Sequence, residues 1–290
     1  MTWVMSTDCS SQLVDRVGRD LLEDGFATVT APSLLLEQIL GVFGEGRQFF
    51  ARPEAHKSRL AWPTLLEGHR SLGIEYSQRP DRPDLNESFS VWPRNQRHPE
   101  IARASAEEGL HRQMNALTAP YVELVDAIFR ALIREMHTHA PPISFLDASY
   151  LQVNYYRPET HNRDFLQDAH EDGHLLTVLK PSAPGLEVGS RGAFQPLDVG
   201  EDELLVFPGS ILTLMTGGRI QPLQHRVRNH RRLTERLSLM FFVNPTLETE
   251  IEPWVVNEMN RGISIRERVN ANSGLFGLPT ISEVFSHETS

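Results

Sequence analysis

The stretch AHEDGHLLTVLKP, residues 169–181, puts His170, Glu171, Asp172 and His174 within five positions, directly before an apolar run. His170 and Asp172 stand two apart. In extended chain their side chains leave on the same face, with Cβ atoms about 6.5–7 Å apart. Neighbouring ligand atoms on one metal ion lie on the order of 3 Å apart. A long imidazole and a short carboxylate can lean together and close that gap, so the pair is a two-ligand hook for a divalent metal. The hook alone is weak, because His98-Pro99-Glu100 shows the same spacing at a proline-bounded helix start. A third ligand strengthens it. His225, fifty-five residues on, lies in the alternating run LQHRVRN, where Leu223, His225 and Val227 share one face and Arg226 and Arg228 take the other. A histidine on an apolar strand face is more often a hydrogen-bonded core residue than a ligand. Eleven residues later comes RLSLMFFV, with Arg236, Ser238, Met240 and Phe242 on one face. An arginine buried there without a partner would be costly. Glu235 points the other way, so Arg236 needs a distant acid, an anionic ligand or a place in water at the rim.

These residues need a frame to hold them. The chain has 290 residues, 40% of them hydrophobic, enough for one large core with appended helices. Residues 10–24 place Leu13, Val17, Leu21 and Leu22 on one helical face, and Gly25 stops that helix. FATVT at 26–30 alternates like a strand. Residues 33–50 read as helix. The apolar spacing over 106–138 predicts one long helix, or two if Pro120 breaks it. From about 149 short β-rich runs follow each other, SYLQVNYY, LLTVL, GLEV, AFQPLDV, ELLVF, ILTLM, QHRVR and LSLMFFV, separated by Gly, Pro and Asp. Closely spaced strands of this kind predict a sandwich or barrel. Residues 257–270 return to helix, and the tail ISEVFSHETS reads as polar and loose. The expected organisation is a helical or mixed N-terminal region, 1–145, packed on a β core with a C-terminal helix and tail, 146–290, as one cooperative unit.

Composition excludes several function classes. A net charge of −10 with no basic stripe beyond HRVRNHRR repels phosphate backbones, so no nucleic-acid partner is expected. No apolar run is long enough to span a bilayer, and no membrane partner is expected. The single cysteine, Cys9, allows no disulfide within the chain, and MTWVMSTDCSS has no signal-peptide pattern; both fit the cytoplasm.

The combination His170-Glu171-Asp172, then His225, then Arg236-Leu237-Ser238 resembles the iron(II)/2-oxoglutarate-dependent dioxygenase superfamily, in the branch that includes isopenicillin N synthase. The resemblance extends upstream to Asn154-Tyr155-Tyr156, to NESFSVWP, to RQFFARPEAHKSRL and to GFATVTAP, so it spans roughly residues 20–245. It departs at His174, where relatives often carry a small polar residue, and gives no match for the C-terminal segment. The resemblance implies a mainly β fold with flanking helices, built on a double-stranded β-helix (jelly-roll) core. It implies Fe(II) on His170, Asp172 and His225, with three coordination positions left open. It implies 2-oxoglutarate as cosubstrate with O2, its far carboxylate on Arg236 and Ser238, with Tyr156 and Asn154 beside them. The expected reaction is oxidation of a small molecule at a C–H bond, hydroxylation by default, with 2-oxoglutarate and O2 converted to succinate and CO2. No general base is required of the protein. Phe89, His161 and Phe242 are candidates to line the substrate pocket.

Two rival readings of the same residues exist. A hydrolytic zinc site also uses two histidines and an acid, but it needs a base beside the bound water. Glu171 alternates away, His174 begins a strand, and zinc leaves Arg236 and Ser238 without a role. The stronger rival is an iron oxidase or cyclase of the isopenicillin N synthase type, which works without 2-oxoglutarate and keeps the same motif. Other features read as ordinary structure. The sequon at Asn86 has no use in a cytosolic chain, FPGSILTLMTGG lacks P-loop spacing, the Arg226–Arg232 cluster is a solvated face, and Trp3, Trp62, Trp92 and Trp254 pack. The substrate is expected to be a specialised metabolite, amino acid or peptide-derived compound, as in antibiotic biosynthesis, and the protein a monomer or weak homo-oligomer.

Overall fold

A computed structural model describes residues 16–138, 143–158, 162–190, 193–248 and 250–286. Trp3, Cys9, Leu13 and His161 lie outside the described residues. Helix α1 (16–23) ends at Gly25, whose φ of +79° is the left-handed turn that glycine adopts without strain. Strand β1 (Ala27–Thr30), helix α2 (Ser33–Phe50), the short α3 (Glu54–Lys57) and strands β2 (Ala61–Trp62), β3 (Glu67–Arg70) and β4 (Asn86–Val91) follow. Helices α4 (Pro99–Glu107) and α5 (Gly109–Glu135) come next. Then come β5 (Tyr150–Tyr156), β6 (Phe165–His170), β7 (Leu176–Pro181), β8 (Leu186–Ser190), β9 (Ala193–Pro196) and β10 (Glu203–Pro208). Helix α6 (Ser210–Met215), strands β11 (His225–Arg228) and β12 (Arg236–Val243), and helices α7 (Ile265–Ala271) and α8 (Ile281–Ser286) complete the order.

The strands form an eight-stranded sheet, β1-β10-β7-β12-β5-β4-β3-β2, and a four-stranded sheet, β6-β11-β8-β9. This is the expected mainly β fold with a jelly-roll core and N-terminal helices. Strands β1 to β4 belong to the same large sheet as the core strands, so the N-terminal region is continuous with the core through hydrogen-bonded ladders. Alternation divides the large sheet into two faces. Its outer face meets α2 and α5: Phe50 stacks on Tyr155 at 4.9 Å, Phe49 meets Phe89 at 4.9 Å, and Tyr121 meets Phe241 at 5.5 Å. Its inner face looks toward the small sheet. Leu179, Leu205, Phe207 and Met240 of the large sheet pack there with Leu186 and Val188 of the small one.

Several expectations are corrected. Pro120 does not break its helix; the break is at Glu108, which is extended (φ −92°, ψ 122°). The carbonyl that loses its partner to Pro120 belongs to Ala116, an exposed position where water can satisfy it. ILTLM is not a strand but α6. The tail is not loose over 281–286, where Ile281 and Val284 are buried in helix α8. Helix in the 257–270 stretch begins only at Ile265, behind the Ser264 cap. Among the described residues no helix is long and apolar enough to cross a membrane. Trp92 and Trp254 are buried, Trp92 stacking on Tyr150 at 4.3 Å.

Candidate active site

Pairing of β11 with β6 sets His225 directly opposite His170, and Asp172 follows two residues past the end of β6. His170 Nε2 lies 3.5 Å and His225 Nε2 3.8 Å from Asp172 Oδ1, and the two imidazole centroids are 4.2 Å apart. All three residues are buried. Each imidazole turns its other nitrogen onto a backbone carbonyl two residues back: His170 Nδ1 to Asp168 at 2.9 Å, His225 Nδ1 to Leu223 at 3.1 Å. A carbonyl only accepts, so Nδ1 carries the proton in both rings and Nε2 presents its lone pair inward. Asp172 Oδ2 accepts from the Thr177 hydroxyl, leaving Oδ1 to face the imidazoles. Burial alone would raise the Asp172 carboxyl; the neighbouring His225 and His170 outweigh it and hold the carboxyl far below its usual range. Burial, reinforced by His170, pushes His225 down to about 4, so its ring is neutral at physiological pH. Burial alone would lower the His170 pKa, but the neighbouring Asp172 outweighs it and raises the imidazole pKa in the metal-free site. Once a cation displaces that proton, two imidazole nitrogens and one ionised oxygen, converging within 4.8 Å, are a donor set that fits Fe(II).

Helix α6 holds the turn that carries Asp172. Its first backbone amides would otherwise be orphaned, and they donate to the HxD loop: Ser210 N–H to the Asp172 carbonyl at 2.8 Å, Ile211 N–H to that of His174 at 3.1 Å. Gly209 lies so close that an added Cβ would sit 2.3 Å from the His174 carbonyl oxygen and 2.7 Å from that of Asp172. Gly209→Ala is therefore expected to cost about 1–3 kcal/mol of stability and to weaken metal binding by moving Asp172. A thermal unfolding midpoint equal to that of the parent protein would show that the turn yields instead. Thr177→Val is expected to leave the fold in place while weakening Fe(II) binding about 10–100-fold, because Asp172 loses the hydroxyl that orients it. Metal titration reads this directly, and an unchanged affinity would rule it out.

The second half of the site lies on β12 and β5, where register sets Arg236 opposite Tyr156 and Ser238 opposite Asn154. Arg236 is 1% exposed. Its Nη1 donates to Ser238 Oγ at 2.5 Å and its Nε to the Pro184 carbonyl at 3.3 Å, the guanidinium sits 5.4 Å over the Tyr156 ring, and Nη2 has no partner. No carboxylate pairs with Arg236 among the described residues; Glu235 is bound to Arg47. Burial accordingly lowers the Arg236 pKa. The orphaned Nη2 fits one carboxylate of a dicarboxylate whose other end reaches the histidines. The Tyr156 hydroxyl accepts from Asn154 Nδ2 at 3.2 Å and donates to Gln167 Oε1 at 3.1 Å.

One cavity joins both halves, lined also by Glu75, Asp84, Tyr150, Gln152, His174 and Phe242. His174 is buried and uncharged in character, its pKa lowered by burial, with Nδ1 3.1 Å from Asn244 Oδ1 and its ring 4.5 Å from Phe242. Phe89 is a correction. Its neighbours Ser88 and Ser90 pair with Asn154 and Gln152 on the inner face, so alternation turns Phe89 outward onto Phe49 and His111. The arginines of the 226–232 cluster take the outward, partly to fully exposed face, where Arg226 lies 4.1 Å from both Phe165 and Phe194 and donates to Glu187 at 2.6 Å, with Arg228 on the same carboxylate. Gln152 and Tyr150 share the face of Asn154 and Tyr156, so alternation alone could have found them; Asp84 lies in the loop before β4, with no periodic signal. Glu54, His69 and Glu87 also converge, but Lys57 donates to both carboxylates and makes that group an ion-pair cluster.

Residues 148–245 match the 2OG-Fe(II) oxygenase superfamily. The fold resembles the crystal structure of full-length Neurospora crassa T7H in complex with alpha-KG, with a TM-score of 0.74, 20% identity, and 93% of this chain and 92% of that one covered. Flavonol synthase/flavanone 3-hydroxylase of Eustoma exaltatum subsp. russellianum is 24% identical over 279 residues, covering 88% of this chain and 79% of the relative. The 2'-deoxymugineic-acid 2'-dioxygenase of Hordeum vulgare is 34% identical over 262 residues, 82% of this chain and 73% of its own. Similarity of that extent, together with a site built for Fe(II) and a dicarboxylate, makes this chain a member of the Fe(II)/2-oxoglutarate-dependent oxygenase superfamily.

Proposed function

We propose that His170, Asp172 and His225 hold Fe(II), that Arg236 and Ser238 hold the far carboxylate of 2-oxoglutarate, and that the enzyme oxidises a C–H bond of a small molecule. The bound metal and cosubstrate supply the chemistry: O2 and 2-oxoglutarate are converted to succinate and CO2 as the substrate is oxidised. The protein's own part is order. The Asp168 and Leu223 carbonyls fix the imidazole tautomers, Thr177 fixes the carboxylate, and Asn154, Tyr156 and Gln167 form a hydrogen-bonded floor beside Arg236. Hydrophobic walls from Leu179, Leu186, Phe207 and Val227 limit water around the cosubstrate. The observation that carries the reading is the buried guanidinium of Arg236, without a carboxylate partner among the described residues and lining the same cavity as the three metal ligands. Zinc hydrolysis leaves that guanidinium unexplained. Hydroxylation of a specialised metabolite, amino acid or peptide-derived compound, in secondary metabolism of the antibiotic type, is the proposed setting, by a monomer or weak homo-oligomer that binds no nucleic acid.

The test is O2 uptake by the iron-loaded protein with and without 2-oxoglutarate. The expected result is uptake that requires 2-oxoglutarate and yields one succinate per O2. Uptake without it, and no succinate, would assign the chain to the isopenicillin N synthase type of oxidase.

A further inference from the structure

Beyond the metal, the cavity is lined by Glu75, Asp84, Gln152, Tyr150 and, from the C-terminal segment, Phe276 and Leu278. Its charges do not balance. The charges of Fe(II) and Arg236 are matched by Asp172 and the two carboxylates of 2-oxoglutarate. Glu75 is matched by Arg70, whose Nε donates to Glu75 Oε1 at 2.5 Å. The rest of Arg70 is engaged as well, with Nη1 on the Leu66 carbonyl at 3.2 Å and Nη2 on Ser90 Oγ and Gln152 Oε1, each at 2.6 Å. Arg82 and Arg163, close by in the fold, both turn onto Asp168. Asp84 is left over. It is 2% exposed; Oδ2 accepts from Ser77 at 2.7 Å, and Oδ1 has no partner. A carboxylate that lines a cavity while one of its buried oxygens has no donor is costly unless a bound molecule supplies one.

We propose that Asp84 is the specificity-determining residue of this enzyme and that its substrate carries a protonated amine, which donates to Asp84 Oδ1 while the apolar part of the molecule lies against Phe276 and Leu278. The inference rests on the iron and 2-oxoglutarate reading of the same cavity. It accounts for a feature that reading does not use. Burial pushes Asp84 up to about 6, with Ser77, His170 and the Asp168 amide pulling the other way, as expected of a carboxylate that lacks its counter-ion. Phe276 reaches the metal end, its ring 5.8 Å from that of His170, so a molecule held between Phe276 and Asp84 lies beside the metal ligands. A substrate whose recognition group is a carboxylate would meet Asp84 and Glu75, with no free cation among the described residues that line the cavity to receive it.

The test uses full-length protein loaded with Mn(II), which does not turn over, and 2-oxoglutarate. Binding of a panel of aromatic and aliphatic primary amines, 2-phenylethylamine and tryptamine among them, is measured by calorimetry against the N-acetyl derivative of each. The expected result is that amines bind and that acetylation weakens them at least about tenfold, the loss of one charge-assisted hydrogen bond. Asp84→Asn should erase that difference while 2-oxoglutarate affinity and melting temperature stay at parent values. Acetylated compounds that bind as well as the amines, a panel in which no amine binds, or an Asp84→Asn protein that keeps the preference would each overturn the proposal. The comparison of amine with amide on the unmutated protein stands even if the variant folds poorly. Failure of the Mn(II)-loaded protein to take up 2-oxoglutarate at the first step would instead sink the underlying reading, and is seen before any amine is added.

Discussion

His170→Ala and Asp172→Ala should each leave a folded protein that has lost Fe(II)-dependent turnover. The expected loss exceeds the about 10–100-fold that follows from removing an outer partner of a metal ligand, because the ligand atom itself is gone. The fold should survive for reasons visible around each residue. The main-chain bonds that fix the loop run from α6 to the carbonyls of Asp172 and His174, and a substitution at position 172 leaves those carbonyls in place. Asp172→Ala strands the Thr177 hydroxyl, a buried loss of about 1–3 kcal/mol. Against this, removal of the carboxylate takes a buried ion out of the metal-free protein. His170→Ala opens space at a cavity wall rather than in the sealed core between α2, α5 and the large sheet. Circular dichroism and melting temperature should therefore stay near the parent, while bound iron and turnover fall together. Activity retained in either variant would reject the metal assignment.

Much of this site was legible because the strands that carry it alternate cleanly. Asn154 and Tyr156 on β5, and Arg236, Ser238 and Phe242 on β12, fall on one face by counting alone, and the register Arg236–Tyr156 makes that face the cavity wall. Where function or a buried polar network fills the inward positions, the signal inverts. Strand β6 buries Leu166, Asp168 and His170 and half-exposes Phe165, Gln167 and Ala169, so its polar interior reads as loop. Strand β3, Glu67-Gly68-His69-Arg70, is buried throughout, yet no pattern of apolar residues marks it. It is stable there because Glu67 is saturated by His111 at 2.7 Å, the Trp92 amide at 2.8 Å and Asn95 at 3.1 Å. The run ILTLM is apolar at every position but Thr213, and five residues without a period cannot distinguish strand from buried helix; the HxD carbonyls waiting for amides decide it. Asp84 and the aromatic wall from Phe276 depend on loop paths that no local rule predicts.

Arg236→Leu should move two measurements in opposite directions. In the protein without ligands, the guanidinium is a buried charge whose hydrogen-bond partners among the described residues are Ser238 and a carbonyl, and burial already lowers its pKa. Exchanging such a charge for an apolar side chain of similar reach is neutral or stabilising, so the melting temperature of the metal-free protein should hold or rise. Binding of 2-oxoglutarate should weaken by about 2–5 kcal/mol, roughly 30-fold to a few thousand-fold, because its far carboxylate would then be buried without its partner. Affinity for Fe(II) should change little, since Arg236 contacts none of His170, Asp172 or His225. Thermal unfolding joins the two effects in one assay. Saturating 2-oxoglutarate at about 100 times the dissociation constant adds about 2.7 kcal/mol to the parent protein, and the same concentration should add less than about 1 kcal/mol to the variant. An Arg236→Leu protein that 2-oxoglutarate still stabilises as fully as the parent would break the link between this buried cation and the cosubstrate, and would favour the oxidase that works without it.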